Sequence, residues 1–277
     1  AKASTNIVYL NNGSDHLLPI RKLPEMIKYI NEHLDYAKLE QSTFEELVSS
    51  ILAKKPQLGS YKGEMHYGRY FPLLPGVFSA RMYIKQANEQ CQSMLEKWAE
   101  PFSALDWANG GKYYTELLWE SWKMLIKNHP HDSICGCSID QVHKEMMPRF
   151  DQSRQISEQL TSRSLSYIAG NINTTTPLEN AEPLVVFNPH AWDVSDTVKF
   201  SLSHNLQPGE MLPEFTVWDS NGKALPTQVS NEFVQDMGRQ NRVWKGDVCF
   251  SASKIPSLGY STFYMTRESN NIESSIK

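Results

Sequence analysis

The sequence has little of what marks the specialised protein classes. Four cysteines in 277 residues are too few for a disulfide scaffold, so reduced thiols in a cytoplasm are the expected state. No apolar stretch approaches the roughly 18 residues that a membrane helix needs. The start lacks a basic segment followed by an apolar one, so no signal peptide is visible. No long basic run occurs, and 27 Lys and Arg against 31 Asp and Glu leave a net charge of −4. That balance argues against a general nucleic-acid surface. Internal repeats and low-complexity tracts are missing too. What is present, 40% hydrophobic and 21% charged residues, suits a globular protein. The length exceeds one ordinary domain of roughly 100–200 residues.

Along the chain the hydrophobic period changes twice. Asn6-Ile-Val-Tyr-Leu-Asn-Asn12 is a run of β-formers followed by Gly13-Ser-Asp-His16, which predicts a buried strand and the loop after it. Leu23 to Leu34 is helical in pattern, with Met26, Ile27, Ile30 and Leu34 on one face and Pro24 in the first turn. Tyr36–Gln41 fits a short strand, and Ser42-Thr-Phe-Glu-Glu46 opens a second helix with a Ser-x-x-Glu cap. Strand–helix–strand–helix is the grammar of an α/β domain, but two units cannot close a sheet. Residues 1–58 are therefore expected to be the end of an α/β domain, and the chain a piece of a longer protein.

After an irregular Gly- and Pro-rich connector at 56–76, the period becomes helical. Three amphipathic helices are predicted: Ser79 to Glu100, halted at Pro101; Tyr113 to Lys127, halted by His129-Pro130; and Ser138 to Gly170. The last opens with a Ser138–Gln141 capping box and is bent at Pro148. Residues 59–175 thus read as a three-helix bundle. Beyond Thr174-Thr-Thr-Pro177, about six short β-type runs alternate with turn signals, the pattern of an antiparallel β-sandwich over 176–277. The expected fold class is α+β multidomain: an α/β barrel remnant, a helical bundle and part of a sandwich.

Chemistry-bearing side chains are densest in His129-Pro-His-Asp-Ser-Ile-Cys-Gly-Cys-Ser-Ile-Asp-Gln-Val-His143, between two predicted helices. Imidazole, carboxylate and thiolate are zinc donors. A structural zinc site on His129, His131, Cys135 and Cys137 is one reading, although Cys-x-Cys is shorter than the usual knuckle spacing. A turn whose small residues allow close packing is another. That second reading accounts for Gly136 and the cysteines but leaves His-x-His-Asp unexplained, since these groups cost solvation when buried alone. Asp15, after the first predicted strand, stands where α/β folds place active sites, or else caps a turn.

The segment Asn128–His143 closely resembles the signature of bacterial members of glycoside hydrolase family 38, the zinc-dependent retaining α-mannosidases. Gly13-Ser-Asp15, Phe78-Ser-Ala-Arg-Met82 and Val186-Phe-Asn-Pro189 match further family motifs. The resemblance implies that His131 supplies one of four ligands to a single zinc ion, the others lying outside this chain. It implies that Asp132 hydrogen-bonds the mannose, and that Asp15 is the general acid/base. Ser14 stands where the family carries a first aspartate. The implied partner is an α-mannoside or oligosaccharide, with neither nucleic acid nor membrane, and self-association is left open. A retaining glycosidase needs two carboxyls about 5–5.5 Å apart, and the nucleophile is expected upstream of Ala1. The chain alone is then expected to be inactive. A non-catalytic carbohydrate-binding module and the structural zinc module remain the competing classes.

Overall fold

The computed structural model describes residues 5–11, 13, 16–64, 74–207, 212–238 and 242–267. The chain divides into two compact units, Ala1–Leu73 and Leu74–Lys277.

In the first unit α1 spans Leu23–His33, with Pro24 in its first turn as the sequence predicts, and α2 spans Phe44–Ala53. The cap of α2 sits one residue later than expected. Thr43 Oγ1 accepts from the Glu46 amide (3.2 Å) and Glu46 Oε2 accepts from the Thr43 amide (3.2 Å), a reciprocal capping box. The two predicted strands are corrected. Described residues 5–11 and Tyr36–Gln41 form no strand, and Val8, Tyr9 and Leu10 are exposed, Val8 by 73%. A strand exists only where a neighbour takes its amides and carbonyls, and no strand pairing involves the described residues of this unit. Neither helix has a buried side chain.

The second unit opens with a single tight turn at Pro75–Phe78, followed by α3 (Met82–Ser93). The predicted stop at Pro101 is corrected. One wide π turn, Met94–Ala99, joins α3 to α4 (Glu100–Ala108), and Pro101 lies in the first turn of α4. Proline lacks an N–H and clashes with the carbonyl four residues back; widening the preceding turn relieves both problems. Next come α5 (Thr115–Ile126), the single turn α6 (His131–Ile134) and α7 (Asp140–Gly170), which runs through Pro148. The predicted Ser138 cap does not form. Ile139 occupies the N-cap position and makes no side-chain cap bond.

Three long helical segments, α3–α4, α5 and α7, enclose a core of Ile84, Cys91, Leu95, Ala99, Leu118, Leu125, Met146, Phe150 and Leu160. Between α5 and α7 the buried Ser121 Oγ donates to the Ser153 carbonyl (2.9 Å) and lies 2.9 Å from Ser157 Oγ. Serine is small enough to bring the two helices close, and each buried hydroxyl keeps a partner.

Two antiparallel sheets follow: β1 (Glu182–Asn188), β2 (Val194–Leu206), β3 (Thr216–Trp218), β4 (Ala224–Leu225), β5 (Thr227–Asp236), β6 (Arg242–Ile255) and β7 (Gly259–Thr266). Their orders are β1-β7-β3-β4 and β2-β6-β5. The longest strand, β6, spans 14 residues. It pairs on both sides, Val248 lying opposite both Phe200 and Val229. Strands β4 and β5 escape the sequence pattern, since most of β5 is exposed and polar. The inner faces share one core, in which Phe250 of one sheet meets Phe263 of the other at 4.9 Å. Gly246 leaves room for the Trp244 indole, which a Cβ there would approach to 2.5 Å. Phe187 of β1 packs edge-on against Phe102 of α4, at 5.6 Å and 85°, so bundle and sheets are in contact.

Candidate functional site

The His-rich segment forms the turn between α5 and α7, and its backbone is fixed from three sides. Asn128, fully buried, donates from Nδ2 to the Met146 carbonyl (3.1 Å) and accepts at Oδ1 from Arg149 Nε (2.7 Å). Both contacts tie the end of α5 to α7. His129 meets Asn88 Oδ1 of α3 through Nε2 at 2.7 Å. Its burial disfavours the imidazolium and lowers its pKa below the ordinary histidine value.

The third anchor is Arg81, just before α3, with a left-handed backbone (φ 50°). Its Nε donates to the Gly136 carbonyl at 3.2 Å, and its guanidinium pairs with Asp140 at 2.5 Å. The guanidinium holds the Asp140 carboxyl below its usual range. Gly136 has φ +80°, and a Cβ there would stand 3.1 Å from the Ala80 carbonyl oxygen, so both conformation and clearance favour glycine. The segment Phe78–Met82 is thus the seat on which the turn rests.

On this seat α6 presents His131 and Asp132 outward. The two side chains are 90% and 69% exposed, with Nε2 and Oδ1 3.5 Å apart. The Asp132 carbonyl accepts the amides of Cys137 and Ser138, each at 3.2 Å, which closes the loop behind the pair. Cys137 Sγ lies 3.4 Å from Asp132 Oδ1, and the carboxylate raises the thiol pKa. A high-pKa thiol is a poor nucleophile and a reluctant ligand. His129 is engaged with Asn88, and no group of three or more His, Cys, Asp or Glu side chains that could hold a metal is found among the described residues. Four-ligand structural zinc on His129, His131, Cys135 and Cys137 is therefore not assembled there. His131 suits a different role, since an exposed imidazole on a rigid turn can complete a set whose other ligands come from elsewhere.

Asp15 lies outside the described residues. The structure brings together two of the three sequence-derived site residues, His131 and Asp132. Sequence reasoning passed over Asn88 and Arg149, which pair with His129 and Asn128, because side-chain pairing across 41 or 21 positions leaves no local trace. His143, at the other end of the cluster, is 1% exposed, and neither ring nitrogen has a hydrogen-bond partner in the structure. No helix among the described residues is long and apolar enough to cross a membrane.

Comparison with known proteins adds the decisive observation. The family model described as the alpha mannosidase middle domain matches residues 73–168, the whole bundle with its turn. Residues 73–168 of this chain are thus an alpha mannosidase middle domain. An alpha-mannosidase from Enterococcus faecalis V583 superposes on 90% of the chain and 31% of its own length, with a TM-score of 0.63 and 26% identity. A second Enterococcus faecalis structure, described as a protein in glycosyl hydrolase family 38, covers 99% of the chain and 33% of its own length. Its TM-score is 0.63 and its identity 27%. Among curated proteins, a putative mannosylglycerate hydrolase of Halalkalibacterium halodurans is 34% identical over 187 residues, 66% of this chain and 21% of that protein. Alpha-mannosidase 2C1 of Homo sapiens is 24% identical over 146 residues, 52% of the chain and 14% of that protein. The chain thus spans about a fifth of the first relative and about a third of the solved structures.

Proposed function

We propose that the chain is part of a retaining, metal-dependent α-mannosidase that hydrolyses non-reducing α-mannosyl linkages of mannosides or oligosaccharides. On this reading residues 1–58 end the α/β catalytic domain and carry Asp15 as general acid/base. Residues 59–175 are the middle domain, and 176–277 begin the C-terminal β region. The observation that carries the proposal is the His131–Asp132 pair, exposed on a turn that Arg81, Asn128 and Gly136 hold rigid within a recognised middle domain.

The division of labour follows from the side chains. The His131 imidazole is a nitrogen ligand, and its exposure lets it complete a ligand set without rearrangement of the turn. Asp132 meets Cys137 Sγ and His131 Nε2 through Oδ1, and its exposed carboxylate has further lone pairs that can accept hydrogen bonds from sugar hydroxyls. When bound, zinc would hold vicinal sugar hydroxyls and help stabilise the oxocarbenium-like transition state. Asp15 would protonate the leaving oxygen and then deprotonate water.

The test has two parts. Equilibrium dialysis of this 277-residue chain should show weak zinc binding, and aryl mannosides should not turn over. Stoichiometric retention at submicromolar zinc would instead make the local His and Cys cluster a complete site. In the enzyme with its full catalytic domain, His131→Ala should release the metal while His129→Ala keeps it. Normal zinc occupancy in His131→Ala would reject the ligand assignment. There, too, Asp15→Asn should slow natural mannosides far more than activated aryl mannosides; equal slowing would make Asp15 a structural cap.

A further inference from the structure

The helical bundle also carries a cavity of about 610 Å³. It lies at the opposite end of α5 from the His131 turn, about 18 Å away along the helix axis. Asp106 of α4, Gly111, Lys112, Tyr114, and Arg163 and Tyr167 of α7 contribute to its wall. Asp106 is only 3% exposed, and no hydrogen-bond donor reaches its Oδ1 in the structure. That oxygen lies against Gly111, where a Cβ would fall 1.6 Å from it, so the glycine is what admits the carboxyl. A buried acceptor left without a donor is unfavourable and calls for a partner.

Two cations stand on the same wall. Lys112 Nζ and the Arg163 guanidinium lie 4.8 and 5.5 Å from the centroid of the Tyr114 ring, and Arg163 also donates to the Tyr114 hydroxyl (3.3 Å). Neither makes a salt bridge among the described residues, so most of their N–H donors have no protein acceptor. The cavity therefore sets a buried carboxylate beside two exposed cationic donors. An anion would satisfy the cations but repel Asp106, and an ammonium ion would do the reverse. Neighbouring hydroxyl groups serve both, because each O–H can donate to the carboxylate while its oxygen accepts from lysine or arginine. The volume suits one or two sugar rings.

We infer that the cavity between Asp106, Lys112 and Arg163 is a saccharide-binding site of the middle domain. The inference draws on the wall's donors and acceptors alone and holds whatever roles His131, Asp132 and Asp15 play.

The experiment is a titration of the 277-residue chain with methyl α-mannoside and methyl α-glucoside to about 100 mM, a range chosen for millimolar affinity. The readout is amide chemical shift at Gly110 and Gly111. At least one glycoside should shift these amides saturably. Lys112→Gln combined with Arg163→Gln should weaken binding about tenfold or more. Both residues are exposed, and an unchanged melting curve checks the fold. His131→Ala and Asp132→Ala should leave this binding intact, which separates it from the proposed catalytic role. Three results would overturn the inference: no saturable shift with either glycoside, binding indifferent to the Lys112/Arg163 change, or a response to inorganic phosphate alone.

Discussion

Helices α1 and α2 share with α3, α5 and α7 an amphipathic pattern, yet they end in opposite states. The bundle helices bury Ile84, Leu95, Leu125 and Met146 completely. Neither α1 nor α2 buries any side chain, and Met26, Tyr29, Phe44 and Leu52 remain exposed. Pattern prepares a face for burial, but only a partner surface removes it from water. The bundle supplies its own partners within about 90 residues, because three long helices can close a core among themselves. The first unit has two short helices and no sheet among its described residues, and its apolar stripes stay open.

The strongest way to break this contrast is truncation at equivalent positions. Leu125→Ala in the bundle should cost about 2–5 kcal/mol, read as a lowered urea midpoint by tryptophan fluorescence. Ile30→Ala in α1, half-buried at most, should shift the same transition by less than about 1 kcal/mol. Comparable losses would mean that α1 has a packed core of its own.

Gly136→Ala tests how firmly the turn is seated. A left-handed φ and the nearby Ala80 carbonyl together predict a loss of about 1–3 kcal/mol. Calorimetric melting would show it, with Gly76→Ala, which meets no atom within 4 Å, as the mild reference. Arg81→Ala should destabilise less than Gly136→Ala, since its ion pair with Asp140 is partly exposed, the aspartate mostly so. The difference from wild type should shrink as salt rises and as pH drops below the usual carboxylate range. Asp140 has a depressed folded pKa, so its contribution is present above the unfolded value and lost as pH falls through the folded one.

His129 sharpens the same point through acid. Its folded pKa lies below the ordinary 6.5, so the unfolded chain binds the proton first and stability falls as pH drops below about 6.5. His129→Gln should flatten that part of the stability–pH curve; an unchanged slope would place the titration elsewhere. The smallest effect is expected at His131, where the Ala variant should melt within about 0.5 kcal/mol of wild type. Stability-neutral substitution there, beside a costly one at Gly136, would separate the exposed ligand candidate from its support.

Much of the architecture was legible because it is periodic. The 3.6-residue stripes located α1, α5 and α7 to within two residues or so, and short β-type runs between turn signals marked out the β region. Errors gathered where local preference met a non-local decision. Pro101 reads as a stop, but a π turn carries the helix past it. Ser138 reads as a cap, but α7 starts later, where Arg81 draws Asp140 into place. Asn6–Asn12 reads as a strand, yet no described neighbour pairs with it. Strand β5 carries too few apolar residues to be seen alone, and exists because β6 pairs with it. At the candidate site the sequence marked His131 and Asp132 through residue type and family resemblance. The exposure of the pair, and the tie of His129 to Asn88 instead of to the cysteines, could not be seen there.

The sequence by itself determined which segments are helical, where the β region begins, and which turn collects imidazole, carboxylate and thiol. These properties are local: spacing, turn chemistry and composition act over a few residues. Tertiary structure decided which apolar faces are buried, which caps form, and how the turn between α5 and α7 is held. Those outcomes depend on groups brought together from distant positions, as when Arg81 reaches Gly136 and Asp140. A free energy of contact exists only once the chain has placed both partners.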